Sequence, residues 1–388
     1  SELPVEPLSA ASPEPGATAP AHGPDEIELC GGVWVKTKPD GEFDQDELNR
    51  AIRLPEARAR LVDDLRAAPN ELARAAGLWV STVGRPETQA MMQQTLAGCV
   101  TPECTAAPRD AEFVVARDAL VRMALSTNDP QVYAIAFNNC GRGASADGTC
   151  PLLSAEQWAR LDPTNAAPWL FVLEQASRRR DAAGEAEALH RIATSAGSAP
   201  NLYVVPSVIV DHLPASEASK AASLTLVAES IATVVAWSVP NYQTLLTACS
   251  KETLRDSNRS QNCNAVAELL IERPSTLIER QIGLALGQRL DWSAERIDRL
   301  RGEYTAYLAS KPFGPSENSP GGCPGINEGL EEMKRLIRVG EIGGLREWVK
   351  QSGKTADDFI RIERASRAAR AAEAASASAA SSAASATR

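Results

Sequence analysis

The sequence predicts an all-α protein: an α-solenoid of antiparallel helical hairpins clipped by disulfides, with a small β-hairpin near the N-terminus. Apolar residues make up 44% of the 388 residues and aromatic residues only 5%. The core must therefore be built from Ala, Leu, Val and Ile, a composition that favours helices. Helical periodicity, interrupted by Pro and Gly, continues from residue 44 to about residue 308. The cysteines fall in pairs between these helical segments.

The chain divides into five segments by composition. Residues 1–26 are rich in Pro, Ala, Ser and Glu and are predicted to be disordered, since they offer too little apolar area to offset ordering. A helical-repeat domain over 27–310, a linker over 311–325, C-terminal helices over 326–370 and a low-complexity Ala/Ser tail over 371–388 follow. The alternation in Val33-Trp34-Val35 and the turn-forming "KPDG" predict the small hairpin.

Charge argues against nucleic acid as a partner. The net charge is −10, and residues 1–48 carry 11 acidic and 2 basic side chains, which leaves the body of the chain close to neutral. A nucleic-acid binder needs a concentrated basic surface. The arginines at 361, 364, 367 and 370 spread over half a helix circumference, so we interpret them as a solvated helix end.

The cysteines form three units with the order helix, Cys, loop, Cys, helix. These units predict the bridges Cys99–Cys104, Cys140–Cys150 and Cys249–Cys263, because an antiparallel hairpin brings the end of one helix beside the start of the next. Elimination then pairs Cys30 with Cys323, although eight cysteines allow many other connectivities.

The same cysteines indicate the compartment. None forms CxxC or a Cys/His cluster, and the chain has three histidines, so the spacings for zinc, haem attachment and thioredoxin-type chemistry are missing. Disulfides favour an oxidising compartment, and we expect a periplasmic or extracellular protein without cofactor or metal. No uninterrupted run of 18 apolar residues is present, so we expect no transmembrane span; tethering through a removed anchor and the oligomeric state stay open.

Two candidate calcium loops fail on ligand count. The loop "CGRGASADGTC" between Cys140 and Cys150 offers one carboxylate, Asp147, whereas calcium takes six to eight oxygens. "KPDGEFDQDEL" resembles the second half of an EF-hand loop, but Lys36 and Lys38 stand where the first carboxylates should be. We interpret the first as a stapled loop and the second as a turn before an acidic helix start.

"NDPQVYAIAF" and "LDPTNAAPWLFVL" place Asp-Pro at 129 and 162, thirty-three residues apart. With Trp169, Ala176, Ala186 and Ala193, the stretch 129–197 resembles the tetratricopeptide-like (TPR/Sel1-like) helical-repeat family, if one extra residue is allowed in the inter-helix turn. The resemblance implies an α-solenoid with a concave binding face. It names no ligand, and disulfide-clipped hairpins depart from the usual cytoplasmic members.

No catalytic group emerges from the sequence. His22, His190 and His212 lack a nucleophile motif such as GxSxG. Glu156, Glu174 and Glu268 are ordinary helix-surface candidates, and none shows a paired-acid pattern.

We therefore expect a binding or scaffold protein that mediates protein–protein interaction or assembly in the cell envelope, rather than an enzyme. Tyr133, Trp169 and Tyr242 lie near grooves between helices and are candidates for contact with a protein or peptide partner. Core packing is the competing interpretation of these aromatics and the favoured one, because early-helix aromatics in such repeats face the partner helix. The alternatives are a cell-envelope enzyme such as a helical glycan-cleaving protein, and a structural subunit of a surface assembly.

Overall fold

The computed structural model describes residues 23, 25–38, 43–83, 111–141, 148–309, 322–355 and most of 357–368. Helices make up 75% of the structure, with 15 helices and one two-stranded antiparallel sheet. The prediction of an all-α protein with a small N-terminal hairpin is thus confirmed. The predicted disordered segment and the Ala/Ser tail lie outside the described residues, apart from a few positions at the end of the first.

The helices, in chain order, are α1 (Gln45–Ala51), α2 (Leu54–Ala67), α3 (Glu71–Val80), α4 (Ala111–Ser126), α5 (Pro130–Asn139), α6 (Ala155–Leu161), α7 (Ala166–Arg179), α8 (Ala182–Ala193), α9 (Val204–Asp211), α10 (Lys220–Ser238), α11 (Tyr242–Ala248), α12 (Ser257–Glu272), α13 (Leu277–Arg289), α14 (Ala294–Ala309) and α15 (Gly322–Ser352).

The hairpin turns at a different place from the one the sequence suggests. β1 (Glu26–Glu28) pairs antiparallel with β2 (Trp34–Lys36). The chain reverses between them through Gly31 and Gly32, both with positive φ, and the Leu29 N–H donates to the Val33 carbonyl at 2.8 Å. Glycine adopts this left-handed conformation at little cost, whereas "KPDG" follows β2.

Most helix starts follow from a polar side chain that accepts a backbone N–H. Asn70 accepts from Ala73 at the start of α3, and Asp129 accepts from Gln131 at the start of α5. Asp256 does the same for α12, which therefore begins at Ser257. Such caps satisfy donors that the helix itself leaves unpaired and stabilise it by about 1 kcal/mol each.

Neighbouring helices pack as hairpins, in the pairs α2/α3, α4/α5, α7/α8 and α12/α13. Helices distant in the chain also touch: α12 packs on α8, α11 on α7, and α10 on α2, α5 and α15. A helical-repeat protein requires the contacts within hairpins. The contacts between helices distant in the chain go beyond those of a simple solenoid, in which each repeat contacts only its neighbours.

One large apolar cluster runs from Leu29 in the hairpin to Leu330 in α15. Its largest side chains include Trp158, Phe137 and Phe171, whose ring centroids are 5.3–5.9 Å apart. Aromatic pairs at this spacing add to the free energy gained by burial. Although aromatic residues are few, several of them are concentrated in this core.

The α10 region is the most apolar part of the fold. The stretch Glu217–Ala248 has a window of mean hydropathy 1.6 and is long and apolar enough to cross a membrane by length and composition. Half of that window is buried within the fold. The same composition occurs in the core helix of a soluble protein, and α10 contacts helices from both halves of the chain.

The C-terminal helix begins earlier than expected. α15 starts at Gly322, inside the predicted linker 311–325, and bends at Gly340, where φ is 71°. The bend separates the two helices that the sequence pattern predicts after residue 325. α15 packs on α9, α10 and α14, so the C-terminal helices contact the helical body.

Three disulfides are present among the described residues. The α-carbons of Cys140 and Cys150 lie 5.6 Å apart, and those of Cys249 and Cys263 lie 5.8 Å apart. The bridge between Cys30 and Cys323 joins the hairpin to α15, and the α-carbons of these two residues lie 4.5 Å apart. Cys263 lies inside α12 rather than before it. Cys99 and Cys104 fall outside the described residues.

The substitution Gly31→Ala is expected to destabilise the fold more than Gly32→Ala. Both glycines have positive φ, which costs an alanine about 1 kcal/mol. A Cβ on Gly31 would also lie 2.6 Å from the backbone of Ala218, whereas a Cβ on Gly32 would meet nothing within 4 Å. The clash adds about 1–3 kcal/mol. Urea unfolding of the two variants measures the difference in their free energy of unfolding. An equal loss of stability in both variants would contradict the close approach of Gly31 to the Ala218 backbone.

Removing the Cys249–Cys263 or the Cys30–Cys323 disulfide by paired Cys→Ser substitution is expected to lower the free energy of unfolding by different amounts. Cys249–Cys263 spans 14 residues and Cys30–Cys323 spans 293. Loop-closure entropy of the unfolded chain then predicts about 3 kcal/mol for the first and about 6 kcal/mol for the second. Urea unfolding under identical conditions tests the ranking; a smaller loss for the Cys30/Cys323 pair would contradict it.

Candidate functional site

Two of the three predicted partner-contact aromatics are buried. Tyr133 has no exposed surface, and its hydroxyl donates to the Ser154 carbonyl at 3.2 Å and accepts from the Ser154 N–H at 2.9 Å. Tyr242 is 6% exposed and donates to Glu279. The partner-contact hypothesis is therefore corrected for both residues: they tie helices together, as the core-packing interpretation requires.

Trp169 is half-buried, with the Arg191 guanidinium 5.6 Å from its ring centroid. Its indole N–H has no hydrogen-bond partner in the described part of the chain. A cation over an indole ring is attractive by about 0.5–1 kcal/mol. Trp169 thus packs at the surface of the α7/α8 hairpin and is not part of the lining of the cavity described below.

The three glutamates considered as surface acids are all paired with arginines. Glu174 is 5% exposed and bonds to Arg178 at 2.6 Å, which differs from the surface position expected. Glu268 accepts from both terminal nitrogens of Arg296. Glu156 lies 3.9 Å from Arg179. Each of the three carboxylates therefore takes part in an ion pair within the helical body.

A cavity of about 720 Å³ opens among the described residues. It lies between the N-terminal ends of α3 and α5 and one face of α9, and the segment 199–203 and Ser275 complete its wall. Asn201 has φ of 60°, a left-handed conformation that asparagine tolerates, and it directs the chain into α9. The volume lies within the range of ligand-binding pockets.

Carboxylates dominate the charge of this cavity. Glu71, Asp129 and Asp211 line it together with His212, and the lining includes no lysine or arginine. Glu71 accepts one bond from the Thr127 hydroxyl at 3.0 Å, and Asp129 uses one oxygen for its cap. Each carboxylate therefore keeps at least one oxygen with no hydrogen bond among the described residues.

His212 is the only histidine among the described residues that line the cavity. Its Nδ1 lies 2.8 Å from the Val208 carbonyl oxygen. A carbonyl oxygen only accepts, so Nδ1 carries a proton and donates this bond. Apolar side chains, among them Leu72, Leu202 and Val208, supply the rest of the surface.

The buried carboxylate of Glu279 accepts hydrogen bonds from residues of the cavity wall and of the segment that leads into it. Glu279 has no exposed surface and accepts hydrogen bonds from the hydroxyls of Ser198, Tyr242 and Ser275 and from the Ser275 N–H. Its own N–H donates to Thr276, the cap of α13, at 3.1 Å. A buried carboxylate is costly unless hydrogen-bonded, so these donors fix three segments around it.

Glu341 and Tyr203 connect that network to the bend in α15. Glu341 follows Gly340 and accepts from the Leu277 N–H at 3.0 Å. Burial raises the pKa of the Glu341 carboxyl, the bond from Leu277 opposes this rise, and the charge of Glu279 adds to it. Burial, together with the charge of Glu341, raises the pKa of the Tyr203 hydroxyl well above its ordinary value. Tyr203 lines the cavity, whereas neither glutamate does.

One group of metal-capable side chains comes together in the described part of the chain. Ligand atoms of Cys30, Glu217 and Cys323 lie within 4.8 Å of one another. The two sulfurs are bonded to each other, so neither is a thiolate that could bind a metal ion. The group is the environment of the disulfide.

No sequence pattern marks the cavity residues as a site. Asp129 belongs to an Asp-Pro pair, and Asp211 and His212 are adjacent in the sequence. Glu71 and Asp129 are far from Asn201 and Asp211 in the sequence, and no spacing links the two groups. Helix caps at Asn70 and Asp129 were a usable signal, because caps mark helix ends and these ends converge.

Comparison of the chain with protein-family models, with curated proteins and with solved structures finds no match. The tetratricopeptide-like resemblance over 129–197 therefore stays a prediction from the sequence.

Glu341→Gln is expected to gain stability relative to the wild type as pH rises. The folded-state pKa of Glu341 is raised, so the wild type loses stability as pH climbs from the ordinary carboxyl pKa through the raised one. Glutamine cannot ionise, and its amide oxygen still accepts from Leu277. Urea unfolding at several values between about pH 4 and pH 8 measures the change.

Glu295→Gln, at an exposed position in the first turn of α14, is the matched control. Its stability relative to the wild type should change far less over the same pH range. A Glu341→Gln difference that shrank as pH rose would refute the assignment.

Proposed function

We propose that this chain is an exported helical scaffold that binds a protein or peptide partner in the cell envelope, and that the cavity where α3, α5 and α9 converge is the docking site. The observation that carries the proposal is the cavity itself: about 720 Å³, bounded by helix ends, with apolar and acidic surface. Cavities of this composition suit a side chain or short segment of a partner.

The proposed location rests on the disulfides. Three cysteine pairs at bonding distance are compatible with an oxidising compartment, and bridges persist poorly in a reducing cytosol. Periplasmic or extracellular location is the compartment that this chemistry favours.

The helical-repeat part of the proposal rests on the hairpin pairs. The α7/α8 hairpin, which falls within the tetratricopeptide-like stretch, packs against α12 of the α12/α13 hairpin and against α11. The contacts with α11 and α12 join helices that are not neighbours in the chain, so the support for the predicted α-solenoid comes from the hairpin pairs themselves, which are the units that such an array would stack to present a surface to partners.

The enzyme alternative has less support. A glycan-cleaving site requires a carboxyl with a raised pKa in the groove that receives the sugar. The pKa of Glu229 is raised by burial, but its carboxylate is bonded to Arg58, and Glu341 lies behind the wall. A structural subunit of a surface assembly would bury other faces of the molecule than this cavity.

Photo-crosslinking tests the docking site. Benzoylphenylalanine placed at Ser207, an exposed residue of the cavity lining, is expected to crosslink one partner in envelope preparations, with the crosslink mapped by mass spectrometry. The same group at Arg299, exposed on α14 outside the lining, is the control. The purified partner should then bind the wild type by calorimetry, and Ser207→Trp should weaken that binding at least tenfold by filling the cavity.

Two outcomes would count against the proposal. Equal crosslinking from Ser207 and Arg299 would remove the cavity as the docking site. A monomer that cleaves envelope glycan with defined turnover, and loses that activity in Glu341→Gln, would favour the enzyme.

A further inference from the structure

We infer that the occupant of this cavity is a basic peptide segment: a lysine or arginine side chain flanked by an apolar residue. The inference rests on the proposed function, since it names the chemistry of the partner at the same site. Three observations support it: the described residues of the lining include carboxylates and no lysine or arginine, the N-terminal ends of α3 and α5 are capped by polar side chains, and apolar side chains form the rest of the lining.

The free acceptors of the cavity call for a ligand that donates hydrogen bonds. Glu71 of α3, Asp129 before α5 and Asp211 of α9 keep unbonded carboxylate oxygens. Asp211 has no hydrogen bond or ion pair with any described residue and is exposed. An ammonium or guanidinium group carries three to five donors and no acceptor, which matches this set.

Two helix N-termini, those of α3 and α5, face the cavity, and such ends ordinarily attract anions. Here both ends already carry a capping side chain. Asn70 accepts from the Ala73 N–H at 2.6 Å, and Asp129 accepts from the Gln131 N–H at 2.8 Å. Glu71 also places a carboxylate in the first turn of α3. The carboxylates of Asp129 and Glu71 oppose the positive ends of the helix dipoles, so a phosphate or carboxylate ligand would meet repulsion.

The apolar part of the lining explains why a bare cation is not the occupant. Leu72, Leu202 and Val208 form a floor that gains free energy only when another apolar group covers it. The methylene stem of a lysine or arginine and a neighbouring apolar side chain provide that cover while the charged head reaches the carboxylates.

Three fluorescein-labelled nonapeptides test the inference by fluorescence anisotropy. They are identical except for the central residue, which is lysine, norleucine or glutamate, and leucines flank it. The lysine peptide is expected to bind at least tenfold more tightly than the glutamate peptide at low salt, with the gap narrowing at higher salt. Asp211→Asn should weaken the lysine peptide about threefold and leave the norleucine peptide unchanged.

Asp64→Asn, an exposed position on α2 outside the lining, is the matched control and should change none of the affinities. Ser207→Trp should weaken all three peptides. Glutamate and lysine peptides of equal affinity would overturn this inference and leave the docking site standing. If no peptide bound the wild type, or binding survived Ser207→Trp, peptide binding in the cavity would be overturned as well.

Discussion

The hydrogen-bonded burial of Glu279 is the constraint on which the architecture around the cavity depends. Its carboxylate is fully buried and gathers donors from Ser198, Tyr242 and Ser275. Losing any donor leaves an acceptor unsatisfied in an apolar interior, so the three segments must arrive together. Ser198 leads directly into the 199–203 wall, and Ser275 is part of the lining. The hydrogen bonds of Glu279 therefore hold two parts of the cavity wall in place.

The bend at Gly340 connects the C-terminal helix to the region around Glu279. It lets Glu341 accept from the first turn of α13 and stand beside Tyr203, whose ring belongs to the cavity. A straight α15 would carry Glu341 elsewhere. The cavity wall, the α13 start and the second half of α15 thus form one connected region. A ligand that shifts Tyr203 has a direct route to the C-terminal helix through this contact.

The helices could be predicted because their ends are set by residues close in the sequence. The cavity could not be predicted, because it depends on packing between residues far apart in the sequence. Caps, Pro and Gly mark helix ends, so the all-α class and the hairpin near Trp34 could be read from the sequence. Tyr133 and Tyr242 occupied the right helices, but their burial depends on Ser154 and Glu279, which no local pattern indicates. The start of α12 was misplaced because the Asp256 cap outweighs the cysteine spacing. The acidic lining combines helix ends that the sequence keeps far apart.

The bridge between Cys30 and Cys323 has a mechanical consequence. Because it joins residues 293 positions apart, it closes a covalent ring around most of the helical body. Tension applied between the two chain termini passes from residue 30 straight to residue 323, and the ring in between carries none of it. Helices α1 to α14 lie within this ring, whereas α15, which carries Glu341, continues past Cys323 and bears the load. Reduction of this single bond would place the same load on the helices themselves.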